Sequence, residues 1–245
     1  MKKLKYMILL VPILLVTSCS KKDSEGISSV TYYPTFKVSG ASVIQVVTGT
    51  AFTDPGVSAT ENGKTLPVTI SITGDYFPFT GSQIDATTPN KYDITYSAVN
   101  KDGFTGSVAR SIYVVTTGDL VSSIEGLYTS TVARNGASAP KYTDMAYVMI
   151  RKTGTNTYEL SDDIGAYYDI GRIYGATYRA TGIIVTATDI PSNTFTYAPT
   201  VPVGAFGGVL TMKSFSVDPG TKTIKFETDW DAGYNFVVTL TQVKI

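Results

Sequence analysis

Chemistry-bearing side chains are densest between Ser161 and Tyr174, in Ser161-Asp-Asp-Ile-Gly-Ala-Tyr-Tyr-Asp-Ile-Gly-Arg-Ile-Tyr174. Three carboxylates (Asp162, Asp163, Asp169), one guanidinium (Arg172) and three phenols (Tyr167, Tyr168, Tyr174) fall within this stretch. Phenol rings can stack on sugar rings or peptide side chains while Asp169 and Arg172 exchange hydrogen bonds with the same ligand, the usual mix of a binding pocket. The competing reading is architectural. In it Asp162 and Asp163 fix a turn, Asp169 pairs with Arg172, and alternate tyrosines pack a sheet, where aromatics are enriched for packing alone. Calcium takes six to eight oxygens, yet the spacing here lacks the Asp-x-Asp-x-Asp-Gly of an EF-hand loop and its closing Glu. No metal or other cofactor is expected.

A second cluster is Thr228-Asp-Trp-Asp-Ala-Gly-Tyr-Asn235, which holds the only tryptophan, Trp230. Flanking acids and a following glycine place it at a strand end or hairpin tip. There Trp230 and Tyr234 would form a sugar platform or, equally, plug the end of a barrel. Asp229 and Asp231 share one face of a strand at roughly 6.6 Å, which permits a glycosidase pair. Permission is weak support, and the expected catalytic set is none. Thr194–Gly208 is uncharged and rich in Pro and Gly, and reads as a long loop that covers a pocket mouth, docks a partner or merely connects. Its Gly207-Gly208 is followed by no Lys-Ser/Thr and opens no helix, so it is not a phosphate loop.

Composition narrows the rest. Lys+Arg and Asp+Glu both number 20, so no basic excess points to nucleic acid. There is no histidine and one cysteine, which excludes Ser-His-Asp triads, Cys-His dyads and imidazole or paired-thiolate metal centres. Lys2, Lys3 and Lys5 precede the apolar run Met7–Val16, too short to span a bilayer and ordered as a secretory signal. Val16-Thr-Ser-Cys19 then resembles a lipobox. The resemblance implies cleavage after Ser18, acylation of Cys19 and anchoring to outer-membrane lipid. Loss of residues 1–18 would remove three positive charges, leaving 17 against 20, a net of −3. Residues 19–30 read as a flexible tether. Ser20, Asp23 and Glu25 are similar to the export signal of Bacteroidetes surface lipoproteins, diluted by Lys21 and Lys22, which favours the cell exterior.

The elements carrying these groups are all β. Between 31 and 116, period-two runs (Ser42–Val47, Val68–Ile72, Tyr92–Tyr96, Ser111–Val115) alternate with Asp-Pro-Gly, Asn-Gly and Asp-Gly turns, the pattern of an immunoglobulin-like sandwich. Ala51-Phe-Thr-Asp-Pro-Gly-Val-Ser-Ala59, Lys91-Tyr-Asp-Ile-Thr-Tyr96 and Arg110-Ser-Ile-Tyr-Val114 resemble the bacterial Ig-like repeat of secreted lipoproteins, with Asn90 where a glycine is usual. The resemblance implies a spacer or adhesion module without catalysis. Asp54, before Pro-Gly, is expected to cap its own turn rather than bind a metal.

Residues 117–123 have the composition of a polar linker. From 124 to 245 eight strand candidates follow, at 126–134, 146–152, 157–161, 176–180, 183–188, 209–215, 223–229 and 235–243. They suit a small antiparallel barrel or an open sandwich, with no helix beyond two turns. Ile124-Glu-Gly-Leu-Tyr128, Tyr158–Asp169 and the late Trp230 and Tyr234 resemble lipocalin-like C-terminal domains of Bacteroidetes outer-membrane lipoproteins, with Ala166 where a second glycine is common. That resemblance implies partnership with a TonB-dependent, starch-utilisation-type transporter and its substrate-capturing lipoprotein. The expected function is thus a non-catalytic, surface-anchored binding or accessory lipoprotein for glycan or peptide uptake. The alternatives are a purely structural member of that complex and a carboxylate-only hydrolase.

Overall fold

The computed structural model describes residues 30–245. The signal peptide 1–18, the lipidation residue Cys19 and tether residues 19–29 lie outside the described residues. The described chain is all-β, with an N-terminal Ig-like sandwich and a C-terminal sheet curled into a half-barrel.

In the Ig-like domain one sheet holds β1 (Thr35–Val38), β3 (Val57–Glu61) and β4 (Lys64–Leu66). The other runs β2 (Val43–Val47), β7 (Thr105–Val115), β6 (Asn90–Val99), β5 (Thr69–Gly74), with β2 parallel to β7. Alternation along β6 sends Tyr92, Ile94 and Tyr96 into the core with Val46, Ile112 and Val114. Asp54 caps its turn as expected, accepting from Gly56 N at 3.0 Å. It also does something its sequence context did not announce. Its carboxylate pairs with the guanidinium of the fully buried Arg110 and accepts from Tyr96 Oη at 2.5 Å. The Asp-Pro-Gly turn and the closing strand are therefore joined through one buried ion pair.

The C-terminal sheet has nine antiparallel strands. Their order is β12 (Thr194–Ala198), β11 (Ile184–Asp189), β10 (Thr157–Leu160), β9 (Met145–Gly154), β8 (Gly126–Arg134), β16 (Tyr234–Gln242), β15 (Thr223–Trp230), β14 (Gly207–Asp218), β13 (Val201–Val203). Neither a closed barrel nor two stacked sheets forms. The two flanks are sutured by side chains instead: Tyr197 Oη donates to Lys213 O at 2.6 Å, Val217 N to Asn193 Oδ1 at 2.6 Å, and Phe195 meets Phe215 edge-on at 4.9 Å.

Three expectations are corrected here. Residues 176–180 are not a strand: Ala176–Tyr178 is a single 3-10 turn, following Gly175 at φ +89°. Thr194–Gly208 is not one long loop but β12, β13, a 3-10 turn (Gly204–Phe206) and the start of β14. The linker 117–123 is not a loose hinge. Leu120 is fully buried in the C-terminal core, Gln242 Nε2 donates to Gly118 O at 2.9 Å, and Asp119 caps the backbone of Val121 and Ser122.

The chain itself packs onto the concave face. Residues 161–171 leave β10, turn inward and end in a short π-helical turn, Tyr167–Gly171. Ser130 Oγ on β8 donates to Gly165 O at 2.8 Å, and Thr228 Oγ1 on β15 donates to Asp163 O at 3.4 Å. Gly165 has φ +66°, and a Cβ there would sit 2.6 Å from Val238 Cγ1 and 2.8 Å from Ser130 Oγ, so only glycine fits the approach. The inserted segment, with Tyr128, Phe226 and Leu240 of the sheet, makes the C-terminal core.

Candidate functional site

The inserted segment distributes its side chains to three places. Asp162 and Asp163 go inward and are fully buried. Asp162 Oδ1 accepts from Ile164 N at 2.9 Å and Asp163 Oδ2 from Ile183 N at 3.1 Å. Their other oxygens, Asp162 Oδ2 and Asp163 Oδ1, find no hydrogen-bond partner among the described residues. Burial therefore pushes the Asp162 carboxyl up to about 7, against the pull of the Ile164 amide and Arg179, and raises Asp163 well above the carboxylate range. Asp162 thus fixes its own turn, whereas Asp163 ties the segment to the strand entry at Ile183, twenty residues on.

Asp169 goes to the seam between the two domains. Its expected partner was Arg172, but it accepts from Arg179 Nε at 2.5 Å. Arg179 in turn grips Asp75 of the Ig-like domain, through Nη1 to Oδ1 at 3.0 Å and to the main-chain O at 2.7 Å, and through Nη2 to Oδ2 at 3.1 Å. Lys91 Nζ closes the network on Asp75 at 2.6 Å. Burial alone would raise the Asp75 carboxyl, but Arg179 and Lys91 bring it below its ordinary value. Below lie Tyr76, Phe77, Tyr113, Leu127 and Met149, a buried cluster drawn from both domains, with Tyr76 Oη donating to Tyr147 O at 2.6 Å. Asp169 is thus a seam residue, and its assignment to a ligand site is withdrawn.

The third destination is an aromatic crown at the end of the half-barrel. Tyr167 stacks on Tyr142 at 4.3 Å and meets Tyr168 edge-on at 5.1 Å. Tyr168 also lies 6.2 Å from Trp230 and 5.9 Å from Tyr174, whose ring is parallel to its own. Trp230 is only 9% exposed, donates Nε1–H to Gly207 O at 3.1 Å, and leans on Tyr234 at 5.6 Å. The approach of β14 needs Gly208 at φ +73°, since a Cβ would sit 2.4 Å from Trp230 Nε1. The rings singled out in the sequence thus come together, and their exposure, which the sequence left open, is uneven. Trp230, Tyr167 and Tyr168 are the foundation, while Tyr174 (44% exposed) and Phe206 (44%) present the outer faces. Phe206 and Tyr178, 4.7 Å apart, were missed as ring partners of this cluster. The aromatic content of Thr194–Gly208 was the signal for Phe206. No signal pointed to Tyr178, because a strand was expected there.

Two guanidiniums belong to the crown. Arg172 Nη2 donates to Tyr174 Oη at 3.0 Å and Nη1 to Tyr142 Oη at 3.5 Å. Arg134, not anticipated, lies 4.5 Å from the Tyr234 ring centre and 5.1 Å from that of Tyr167. Desolvation opposes ionisation of the Tyr142 phenol, but contacts from Tyr167, Lys141 and Arg172 outweigh it and lower it to about 8. Beside Trp230, an open depression of about 500 Å³ is lined by Asn135, Asp229, Trp230, Gly233, Tyr234 and Asn235. Asp229 is occupied there by Asn235 Nδ2 at 2.8 Å.

Comparison with known proteins agrees with this architecture. Residues 36–114 match the bacterial surface protein Ig-like domain. The crystal structure of the lipoprotein BT2262 from Bacteroides thetaiotaomicron is similar, at 26% identity and a TM-score of 0.61, covering 86% of this chain and all of that one. No curated protein matches the sequence. The family model for BT2262-like C-terminal domains matches residues 117–242, half of the chain, and the chain belongs to that family.

Proposed function

We propose that this is a lipid-anchored, non-catalytic accessory lipoprotein of an outer-membrane nutrient-uptake system, displayed toward the cell exterior, whose ligand site is the aromatic crown. The carrying observation is the crown's construction: exposed Tyr174 and Phe206 rest on buried Tyr168 and Trp230, so ring faces are offered to solvent on a rigid base. A glycan or peptide passing to a TonB-dependent transporter and its substrate-capturing lipoprotein is the ligand this role implies. The absence of catalysis is supported by what holds the acids. Asp162 and Asp163 are sealed in the core, Asp169 is tied into the seam, and Asp229 is engaged by Asn235, which leaves Asp231 as the one exposed acid of the candidate set.

The test is Trp230 fluorescence of the full chain in detergent, titrated with oligosaccharides and peptides. One tryptophan touching both Tyr168 and Phe206 reports on the whole crown. A saturable shift from one class, weakened at least about tenfold by Tyr174→Ala with Phe206→Ala, is expected, since stacked aromatic contacts are worth about 0.5–1.5 kcal/mol each beyond their buried area. A shift unaffected by that pair of changes would remove the crown as the site.

A second reading, a structural component without soluble ligand, draws on Ile173, 88% exposed and next in sequence to Tyr174. Exposed apolar side chains of this kind suit a protein partner. Under that reading no titrant shifts Trp230, and Ile173→Asp releases the transporter from co-purification.

A further inference from the structure

The crown's cations have no counter-ions. Elsewhere in the described C-terminal domain arginines are paired: Arg151 with Glu159 at 2.8 Å, and Arg179 with Asp75 and Asp169. Arg134 and Arg172 are each half-buried, yet neither has a carboxylate within ion-pair distance among the described residues. Their environment is phenolic instead. A guanidinium carries five N–H donors in a planar fork. Arg134 directs one at Tyr168 Oη, at 3.4 Å, and Arg172 directs two at Tyr142 and Tyr174. Both therefore keep donors for a ligand. An incoming anion would accept from these remaining donors in charge-assisted hydrogen bonds.

The Tyr142 phenol beside them is brought down to about 8 against desolvation, by its contacts with Tyr167, Lys141 and Arg172. Two nearby acids are engaged elsewhere: Asp169 faces Arg179, and Asp229 faces Asn235 and, at 3.8 Å, Lys213, while the exposed Asp231 lies with Trp230 against Gly208 and makes no ion pair with either arginine. What the crown offers is thus a ring platform beside unneutralised forks. It offers side-chain faces rather than a strand edge, so it matches a ring-bearing ligand better than an extended backbone.

Resting on the crown as the ligand site, we propose that its ligand is an acidic oligosaccharide, a uronate-type carboxylate lying against Arg172 and Arg134 while a neighbouring sugar ring stacks on Tyr174 and Phe206. A planar carboxylate accepts two parallel N–H bonds from one guanidinium, and the adjoining aromatic face takes the C–H face of the pyranose. Neutral sugars would gain only the second contact.

The experiment titrates the full chain in detergent with three probes: tetragalacturonate, its fully methyl-esterified counterpart, and tetraglutamate. The acid should bind about ten- to hundredfold more tightly than the ester, as charge-assisted hydrogen bonds imply. Its affinity should fall with added salt. Arg172→Gln should erase most of the preference while binding of the ester is kept, and Arg172→Lys should restore part of it. A circular-dichroism melt unchanged from the parent checks that Arg172→Gln still folds. Should acid and ester bind equally, the anionic inference is overturned while the platform reading stands. Tetraglutamate binding as tightly as tetragalacturonate would overturn the choice of a sugar. If none of the three shifts Trp230, the acidic-saccharide proposal fails; if binding occurs but ignores Tyr174→Ala with Phe206→Ala, the platform reading fails with it.

Discussion

Two regions of this molecule are built from the same materials to opposite ends. The interdomain seam and the crown are both clusters of tyrosines with arginine laid over the rings. Arg179 sits 4.9 Å from the Tyr76 ring centre in the seam, and Arg134 sits 4.5 Å from that of Tyr234 in the crown. In the seam each cation is neutralised, Arg179 by Asp75 and Asp169 and Lys91 by Asp75 and Asp93, and the rings of Tyr76 and Tyr113 are buried. In the crown the guanidiniums lack acids and the outer rings meet water. Residue types do not separate the two regions; the presence of carboxylate partners does. One segment, 161–179, supplies both, sending Asp169 and Arg179 to the seam and Tyr168, Arg172 and Tyr174 to the crown.

The contrast can be broken most forcefully at Arg179. Arg179→Met would leave Asp75 and Asp169 facing each other's surroundings without their shared cation. Unpairing a buried ion pair costs about 3–5 kcal/mol, and the side chains of Asp75 and Asp169 are only 16% and 12% exposed. Urea unfolding should show a loss near the lower end of that range. The matching crown change, Arg172→Met, removes no ion pair and should cost less than about 1 kcal/mol. Equal losses from the two substitutions would mean that the seam and crown are not the different constructions described above.

A second effect, about 2 kcal/mol, sharpens the comparison through the buried pair beneath both regions. Asp162 is raised in the folded protein, so between its unfolded value near 3.8 and its folded value of about 7 the native state binds more protons than the unfolded one. Stability should therefore fall as pH rises through this window, Asp162 contributing about 2 kcal/mol of the loss between pH 5 and pH 7, with Asp163, raised in the same direction, adding to the fall. The seam acid Asp75 is lowered and works in the other direction, losing its contribution only as pH falls below 4. Asp162→Asn retains a carbonyl oxygen for the Ile164 amide and should lessen the slope between pH 5 and 7, leaving the share that Asp163 contributes. A melting temperature that instead rises over this interval in the parent protein would contradict the buried, proton-holding state.

How far the sequence disclosed these regions depends on the range of the forces involved. The Ig-like strands and most C-terminal strands follow from period-two patterning and turn dipeptides, which are local; β8, Gly126–Arg134, was legible to the residue. The ring cluster was legible in part, because Tyr167, Tyr168, Tyr174, Trp230 and Tyr234 stand out by type. Which ring is exposed was not legible, since exposure is decided by β14 crossing over Trp230 and by Phe206 arriving from another strand connection. The pairing of Asp169 was misread for the same reason. Arg172 is three residues away in sequence, but the π-helical turn carries it outward, while Arg179 returns to Asp169 only through the 3-10 turn after Gly175. Arg134 lies at the end of a strand whose neighbour in the sheet, β16, is some hundred residues distant, and no local pattern marks it.

The smallest expected effect tests the turn that divides the segment between seam and crown. Ala166 has φ +64°, where a Cβ is unfavourable by about 1–2 kcal/mol. It stands just before Tyr167, at the position where a glycine is common in the resembling domains. Ala166→Gly relieves that strain but gives the unfolded chain more freedom, worth about 0.4–1 kcal/mol in the opposite sense. The net should be a gain of about 0.5 kcal/mol. It should come without change in ligand affinity, because Ala166 is buried and offers no surface to a ligand. A gain in stability accompanied by weaker crown binding would show that alanine holds the turn rigid for the crown's sake. A loss of stability would mean that the left-handed turn is not where the segment changes direction.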